Sequence, residues 1–293
     1  MRDVIKGDDP QIAAVVAIVT QVAPDVLLLT EFDYDLDGLA LAAFADQFGD
    51  LYPYRFALQP NTGRATGLDM DRNGRLGEAR DAQGYGRFVG DGGMALLSRF
   101  PVDGGAVTDL SDVLWRDLPG AVLPQVDGQP FLPDDVLSVQ RLSTTGHWIV
   151  PIIPPGQPPF ALLAFAATPP VFDGPEDRNG LRNRDELHLW EVVLDGGFGA
   201  APDPFVIVGN ANLDPLDGAG DSAAMAAFLG RPQLQDPLPG RDTADWPQDG
   251  PGNLRVSYVL PSATWQITDA AVVRPLPDVA AGPHHLVWVD IRR

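Results

Sequence analysis

The sequence predicts a single α/β domain with sheets inside and helices outside, and three observations predict it. Short apolar runs of strand character are interleaved with helical segments along the whole chain. No internal repeat and no shift in composition marks a boundary between units. The length of 293 residues, 45% of them hydrophobic, suffices for a substantial core.

Residues 10–22, PQIAAVVAIVTQV, put a proline at a helix start and carry a dense apolar face. PDVLLLTEF follows as a buried strand of the continuous apolar type. LDGLALAAFADQF, residues 36–48, predicts a second helix, and GGMALLSRF another strand. HWIVPII and FALLAFAA flank PPGQPP and predict a hairpin with a rigid turn. RNRDELHLWEVVL, residues 182–194, is an amphipathic helix. FVIVG is a strand, and SAAMAAFLG a short helix ending at a glycine. RVSYVLP, WQITDAAVV and HLVWVDI are three closing strands. The 31 glycines and 29 prolines make the connecting loops long and specific.

Charge and composition narrow the function. The formal net charge of -20 repels polyanions, and no Lys/Arg-rich run offsets it. A stable nucleic-acid complex is therefore not expected, because phosphate neutralisation dominates such affinity. The absence of cysteine excludes disulfides, thiolate zinc sites and cysteine nucleophiles. No 18-residue apolar run predicts a membrane span. The opening MRDVIKGDDPQ is charged and lacks the apolar core of a signal peptide, so an extracellular location would require a leader outside this sequence.

Six segments in order, PDVLLLTEFD, GGMALLSRFPV, LLAFAATPP, FVIVGNANLDP, RVSYVLPS and HHLVWVDI, resemble the endonuclease/exonuclease/phosphatase superfamily. The resemblance runs from about Asp9 to Ile291, and TPPVFDGPEDRNGLRNRDE further resembles a bacterial subgroup. It implies a DNase I-like, four-layer α/β/β/α sandwich, two central mixed sheets flanked by helices. It also implies phosphoester hydrolysis with a divalent metal, usually Mg²⁺.

The resemblance implies roles position by position. Glu31 matches the family's metal-binding carboxylate. Ala166 stands where the family has a histidine that stabilises phosphoryl oxygens. Asn210 and Asn212 stand for the Asp and Asn of a Gly-Asp-x-Asn turn. Ser257 replaces an aspartate before the aromatic of a late strand, and Pro283-His284 replaces an Asp-His pair that supplies a general base. The family also opens with an interior strand bearing an active-site Asn, and no such strand precedes the first helix here. Glu31, Asn212 and His284 thus survive, while Ala166, Asn210, Ser257 and Pro283 depart. Loss of one such group costs about 10²–10⁴ in rate, and losses within one unit do not multiply.

Plain structural readings stand beside these. Glu31 lies in an acidic turn, and Asn212 suits an Asx cap. One of His284 and His285 suits a structural role. His147, beside Trp148, reads as packing, His188 as solvated, and Asp185 and Glu186 as a charged helix face.

A second signal is independent of the family. Residues 69–81, DMDRNGRLGEARD, open like a calcium loop, D-x-D-x-N-G. Asp69, Asp71, Asn73 and the Arg75 carbonyl fall at ligand positions. Arg80 occupies the place of the usual twelfth-position Glu, with Asp81 next to it as the substitute and Glu78 as a lesser one. The alternative is a solvated acidic turn.

Two function classes follow. One is an active Mg²⁺-dependent phosphodiesterase or phosphatase. The other is an impaired descendant acting as a Ca²⁺-stabilised binding or assembly module. For the missing first strand the sequence leaves three outcomes: the sheet closes over the gap, a later segment fills it, or a strand is donated from elsewhere, including by self-association.

Overall fold

The computed structural model describes residues 2–247, 249–275 and 281–293. Helices α1 (Arg2–Lys6) and α2 (Pro10–Val22) lead into strand β1 (Val26–Phe32). Helix α3 (Leu39–Asp46), β2 (Tyr54–Phe56), β3 (Gly93–Ser98) and the two-residue β4 (Thr108–Asp109) follow. A small hairpin, β5 (Gln125–Val126) and β6 (Gln129–Pro130), precedes α4 (Asp134–Leu137). Next come β7 (Gly146–Ile152), β8 (Phe160–Ala166), α5 (Arg178–Leu194), β9 (Phe205–Asn210) and α6 (Ser222–Leu229). A short pair, β10 (Ala244–Asp245) and β11 (Asn253–Leu254), precedes β12 (Ser257–Pro261), β13 (Gln266–Val273) and β14 (Leu286–Arg292).

Three apolar clusters define four layers. Leu163 and Phe165 of β8, Ile207 of β9 and Leu260 of β12 pack on Leu187 and Trp190 of α5 and Phe228 of α6. The alternate residues, Leu162, Ala164 and Ala166 of β8 and Val206 of β9, face Met94 and Leu96 of β3, with Val26 and Leu28 of β1 packed against them. Leu27 of β1 and Ala95 and Leu97 of β3 turn the other way, toward Val19 of α2 and Leu41 and Phe44 of α3. The period of two in each strand thus loads both faces of both sheets, as the continuous apolar runs require. The result is the α/β/β/α sandwich.

The larger sheet has the order β12-β9-β8-β7-β4, with β8 and β9 parallel and the other neighbours antiparallel. The predicted β7–β8 hairpin forms, with His147 opposite Phe165. The smaller sheet has the order β1-β3-β2. Among the described residues, β1 pairs only with β3, and β14 pairs only with β13. Yet Leu286 joins the helix-side cluster of β1, and Ile291 joins its inter-sheet cluster.

Two helix starts differ from expectation for local reasons. α3 begins at Leu39 because the Asp35 carboxylate accepts from the Leu39 and Ala40 amides, at 2.8 and 2.9 Å. α5 begins four residues early, at Arg178, after Asp177 turns the chain with φ of 53°. The charged-face reading of that helix is corrected as well. Asp185 and Glu186 are fully buried, since each accepts hydrogen bonds from loop donors. His188 is half-buried rather than solvated, with Nδ1 2.6 Å from Glu191 and Nε2 3.0 Å from the Pro119 carbonyl.

Candidate functional site

The register of the strands gathers the family-matched positions at one end of the sandwich. Thr30, next to Glu31, pairs with Met94. A Cβ on Gly146 would stand 3.2 Å from the Met94 Cε, so β3 and β7 touch there. Gly146 pairs with Ala166, Ala166 with Asn210, and Asn210 with Ser257. The C-terminal ends of β1, β8 and β9 therefore share one face. A side chain at Gly209 would meet the Phe165 carbonyl oxygen at 1.9 Å, so only glycine fits before Asn210.

Ala166, Asn210 and Ser257 form one row across three adjacent strands. Ala166 and Asn210 are buried, and none of the three bears charge at neutral pH. The Asn210 Oδ1 accepts from the Asn212 amide at 3.0 Å, closing an Asx turn. Asn212, with φ of 51°, donates its Nδ2 to the Ala167 carbonyl at 2.8 Å. The turn acceptor is therefore Asn210, and Asn212 ties the β9 loop to the β8 loop. The row can orient polar groups but cannot deliver or remove a proton.

Glu31 sits on a β-bulge between Thr30 and Phe32, with φ of 57°. Left-handed backbone at a glutamate is uncommon and aims the carboxylate off the strand. Its Oε2 would lie 2.8 Å from a Cβ on Gly92, so that glycine makes room for it. Burial of the carboxylate, with Asp91 and Asp33 adding repulsion, raises its pKa. Glu31 is the single carboxylate among the matched positions. A single carboxylate lies within what Mg²⁺ takes, since that ion binds through one or two and completes its shell with water or phosphate oxygens.

His284 bridges Ala244 and packs edge-on against Trp246, with ring centroids 5.2 Å apart. Its Nδ1 is buried and has no hydrogen-bond partner among the described residues. Burial, with His285 adding to it, lowers its pKa. His285 is buried, and its Nε2 is 3.1 Å from Asp245 Oδ2 without hydrogen-bond alignment. The Pro283 carbonyl accepts from the Asp245 amide.

One turn of α5 holds the loops of this face, and the sequence reading missed it. Asn183 Nδ2 donates to the Thr168 and Ala211 carbonyls, at 2.6 and 2.8 Å. Glu186 accepts from the amides of Thr144 and Thr168. Burial raises the Glu186 pKa to about 7, against Arg182 and those donors, which lower it. The signal was in the helical period: residues 183, 186, 187 and 190 share one face, and Leu187 and Trp190 mark that face as buried. His147, read as packing, is fully buried between Phe165 and Trp190, with its Nε2 2.9 Å from the Glu186 carbonyl.

In the 69–81 loop, Asp69, Asp71 and Asp81 bring carboxylate oxygens within 4.8 Å of one another, so these three could hold a metal ion. Asp69 accepts from the Asn73 and Gly74 amides, at 3.1 and 2.8 Å, which curls the loop inward. Asn73 Oδ1 accepts from the Arg75 amide, and its Nδ2 donates to Asp71 and Glu78. Arg80 pairs with Asp71 at 3.0 Å. Asp81 is buried and accepts from the Met70 and Glu78 amides, both at 3.0 Å. Arg178 of α5 donates to the Met70 carbonyl at 2.8 Å, joining the loop to the helix.

The model of the Endonuclease/Exonuclease/phosphatase family matches residues 5–284. An endonuclease/exonuclease/phosphatase structure from Beutenbergia cavernae is 18% identical with a TM-score of 0.60, covering 97% of this chain and 66% of that one. The chain therefore spans just under two thirds of that protein's length. The 3′ phosphatase NExo from Neisseria, bound to a product DNA hairpin, is 16% identical with a TM-score of 0.55, covering 97% and 95%. Sphingomyelinase C from Streptomyces griseocarneus is 16% identical with a TM-score of 0.51, covering 97% and 88%. These likenesses establish the fold. No curated protein matches the sequence.

Proposed function

Since the chain belongs to the endonuclease/exonuclease/phosphatase family, we propose that it is a catalytically impaired member, acting as a Ca²⁺-stabilised binding or assembly module. The observation that carries this reading is the uncharged row Ala166–Asn210–Ser257, set side by side by strand register. Metal-dependent phosphoester hydrolysis needs charge and proton transfer at such a site. The row supplies neither, and His284 stands beside Trp246 with proline before it in place of a carboxylate.

The alternative is an active Mg²⁺-dependent phosphodiesterase or phosphatase built on Glu31. Turnover of a chromogenic phosphodiester with Mg²⁺ or Mn²⁺ separates the two. The wild-type chain should stay at background, and the combined variant Ala166→His, Asn210→Asp, Ser257→Asp should gain activity. Wild-type turnover of about 1 s⁻¹ or more, abolished by Glu31→Ala, would sink the impaired reading.

The calcium assignment rests on Asp69, Asp71, Asn73, the Arg75 carbonyl and Asp81, three of which converge as carboxylates. Its oxygens suit a hard cation that tolerates irregular coordination. Assembly through a donated strand is supported by the ladder pattern. β1 and β14 feed the same two cores, yet each hydrogen-bonds on one side only among the described residues. Hydrogen exchange on β1 and β14, with a size measurement over a range of concentrations, tests it. A compact monomer with both outer edges protected by its own residues rules the donated strand out.

A further inference from the structure

The loops on the site-bearing face repeat one chemical pattern. After β1, Leu36 is 87% exposed and stands between Asp35 and Asp37. After β8, Phe172 is 89% exposed and precedes Asp173. After β9, Leu216 is 76% exposed and precedes Asp217. The turn entering β3, on the same face, adds exposed Phe88 and Val89 ahead of Asp91. The Gly90 carbonyl accepts from the Tyr34 amide, which fastens this turn to the β1 loop. The β8 and β9 loops also touch, because a Cβ on Gly220 would meet Pro170 and Leu213.

A single exposed apolar side chain is ordinary. A set of them on one face, with Leu36, Phe172 and Leu216 each next to an aspartate, is an interaction surface. The geometry points to this face as a docking surface for a cationic amphipathic polypeptide, with apolar tips entering the partner's apolar side and the aspartates meeting its basic groups. Charge complementarity selects that class. The chain carries a formal charge of -20, and the loops after β1, β8 and β9 are acidic, while Arg87 offsets Asp91 in the turn entering β3. An anionic lipid surface or a nucleic acid would be repelled. This deepens the binding-module reading and rests on it.

The probe is a labelled amphipathic helical peptide of leucine and lysine, with a leucine/glutamate peptide as its counterpart. Titration of the intact chain should show binding of the lysine peptide alone, weaker at about 1 M salt than at about 0.15 M. The variant Leu36→Ser, Phe172→Ser, Leu216→Ser should lose at least about tenfold in affinity with its melting temperature unchanged, since these side chains bury little. Ile153→Ser with Phe198→Ser, at the opposite end of the sandwich, should bind like wild type. Equal binding by the three-loop variant, binding of both peptides alike, or capture of phosphatidylcholine vesicles without peptide binding overturns the proposal. Phosphodiester turnover would instead overturn the impaired reading, and these titrations would still decide the docking face.

Discussion

Asn210 faces Ser257 across the β9–β12 ladder, and both stand in line with Ala166 on β8. These three positions lie far apart in sequence and adjacent in space. Asn210 retains a structural task, because its Oδ1 holds the Asn212 amide.

That contact gives the first prediction. Asn210→Asp keeps an oxygen acceptor for the Asn212 amide and should leave the melting temperature at neutral pH close to wild type. Asn210→Ala removes it and should cost about 1 kcal/mol in urea unfolding. Equal losses for the two variants would show that the Asx turn contributes nothing.

The second prediction concerns the loop 69–81. Chelation with EDTA should lower the melting temperature, because an ion bound only by the folded state stabilises it. Arg80→Glu removes the guanidinium paired with Asp71 and places a carboxylate at the twelfth loop position. It should tighten calcium binding in a calorimetric titration. Unchanged melting with EDTA, and no heat for either protein, would leave the solvated acidic turn.

The elements that sequence rendered well are those whose own residues decide them. α2 runs over residues 10–22 as its apolar face and Pro10 require, and β9 and α6 are bounded by local signals. The α3 start moved because Asp35 caps it from four residues away. The candidate site positions were drawn from the family resemblance alone, and the row that Ala166, Asn210 and Ser257 form depends on register between strands that no local pattern fixes. Asp185 and Glu186 misled for a related reason. Their charge suggests solvent, while Trp115, Val122, Thr144 and Thr168 supply donors from loops distant in sequence.

A third prediction follows from Asn183 and Glu186. Glu186→Ala would leave the buried Thr144 and Thr168 amides without their acceptor, at about 1–3 kcal/mol each. Urea unfolding should show a loss of about 2–6 kcal/mol. Asn183→Ala frees the Thr168 and Ala211 carbonyls and should cost less, since carbonyls left under-satisfied are better tolerated than amides. Losses below about 0.5 kcal/mol in both would mean that α5 does not clamp the loops.

The final prediction is the pH dependence of stability, which sets His147 against Glu186. Burial lowers the His147 pKa from 6.5 to about 3, so the fold keeps this ring neutral. Its contribution is fully present above pH 6.5 and is lost as pH falls toward 3. Burial raises the Glu186 pKa from 4.5 to about 7. Its contribution has the opposite sign: it is fully present below pH 4.5 and is lost as pH rises through 7. Between 4.5 and 6.5 the two slopes oppose each other. Glu186→Gln removes one slope and leaves the other. The stability difference, wild type minus Glu186→Gln, should therefore shrink as pH rises from about 5 to about 7, by up to about 1.4 kcal/mol per pH unit. The surface carboxylates titrate alike in both proteins and cancel in that difference. A difference that stays constant across the window would mean that Glu186 remains ionised throughout, held by the Thr144 and Thr168 amides.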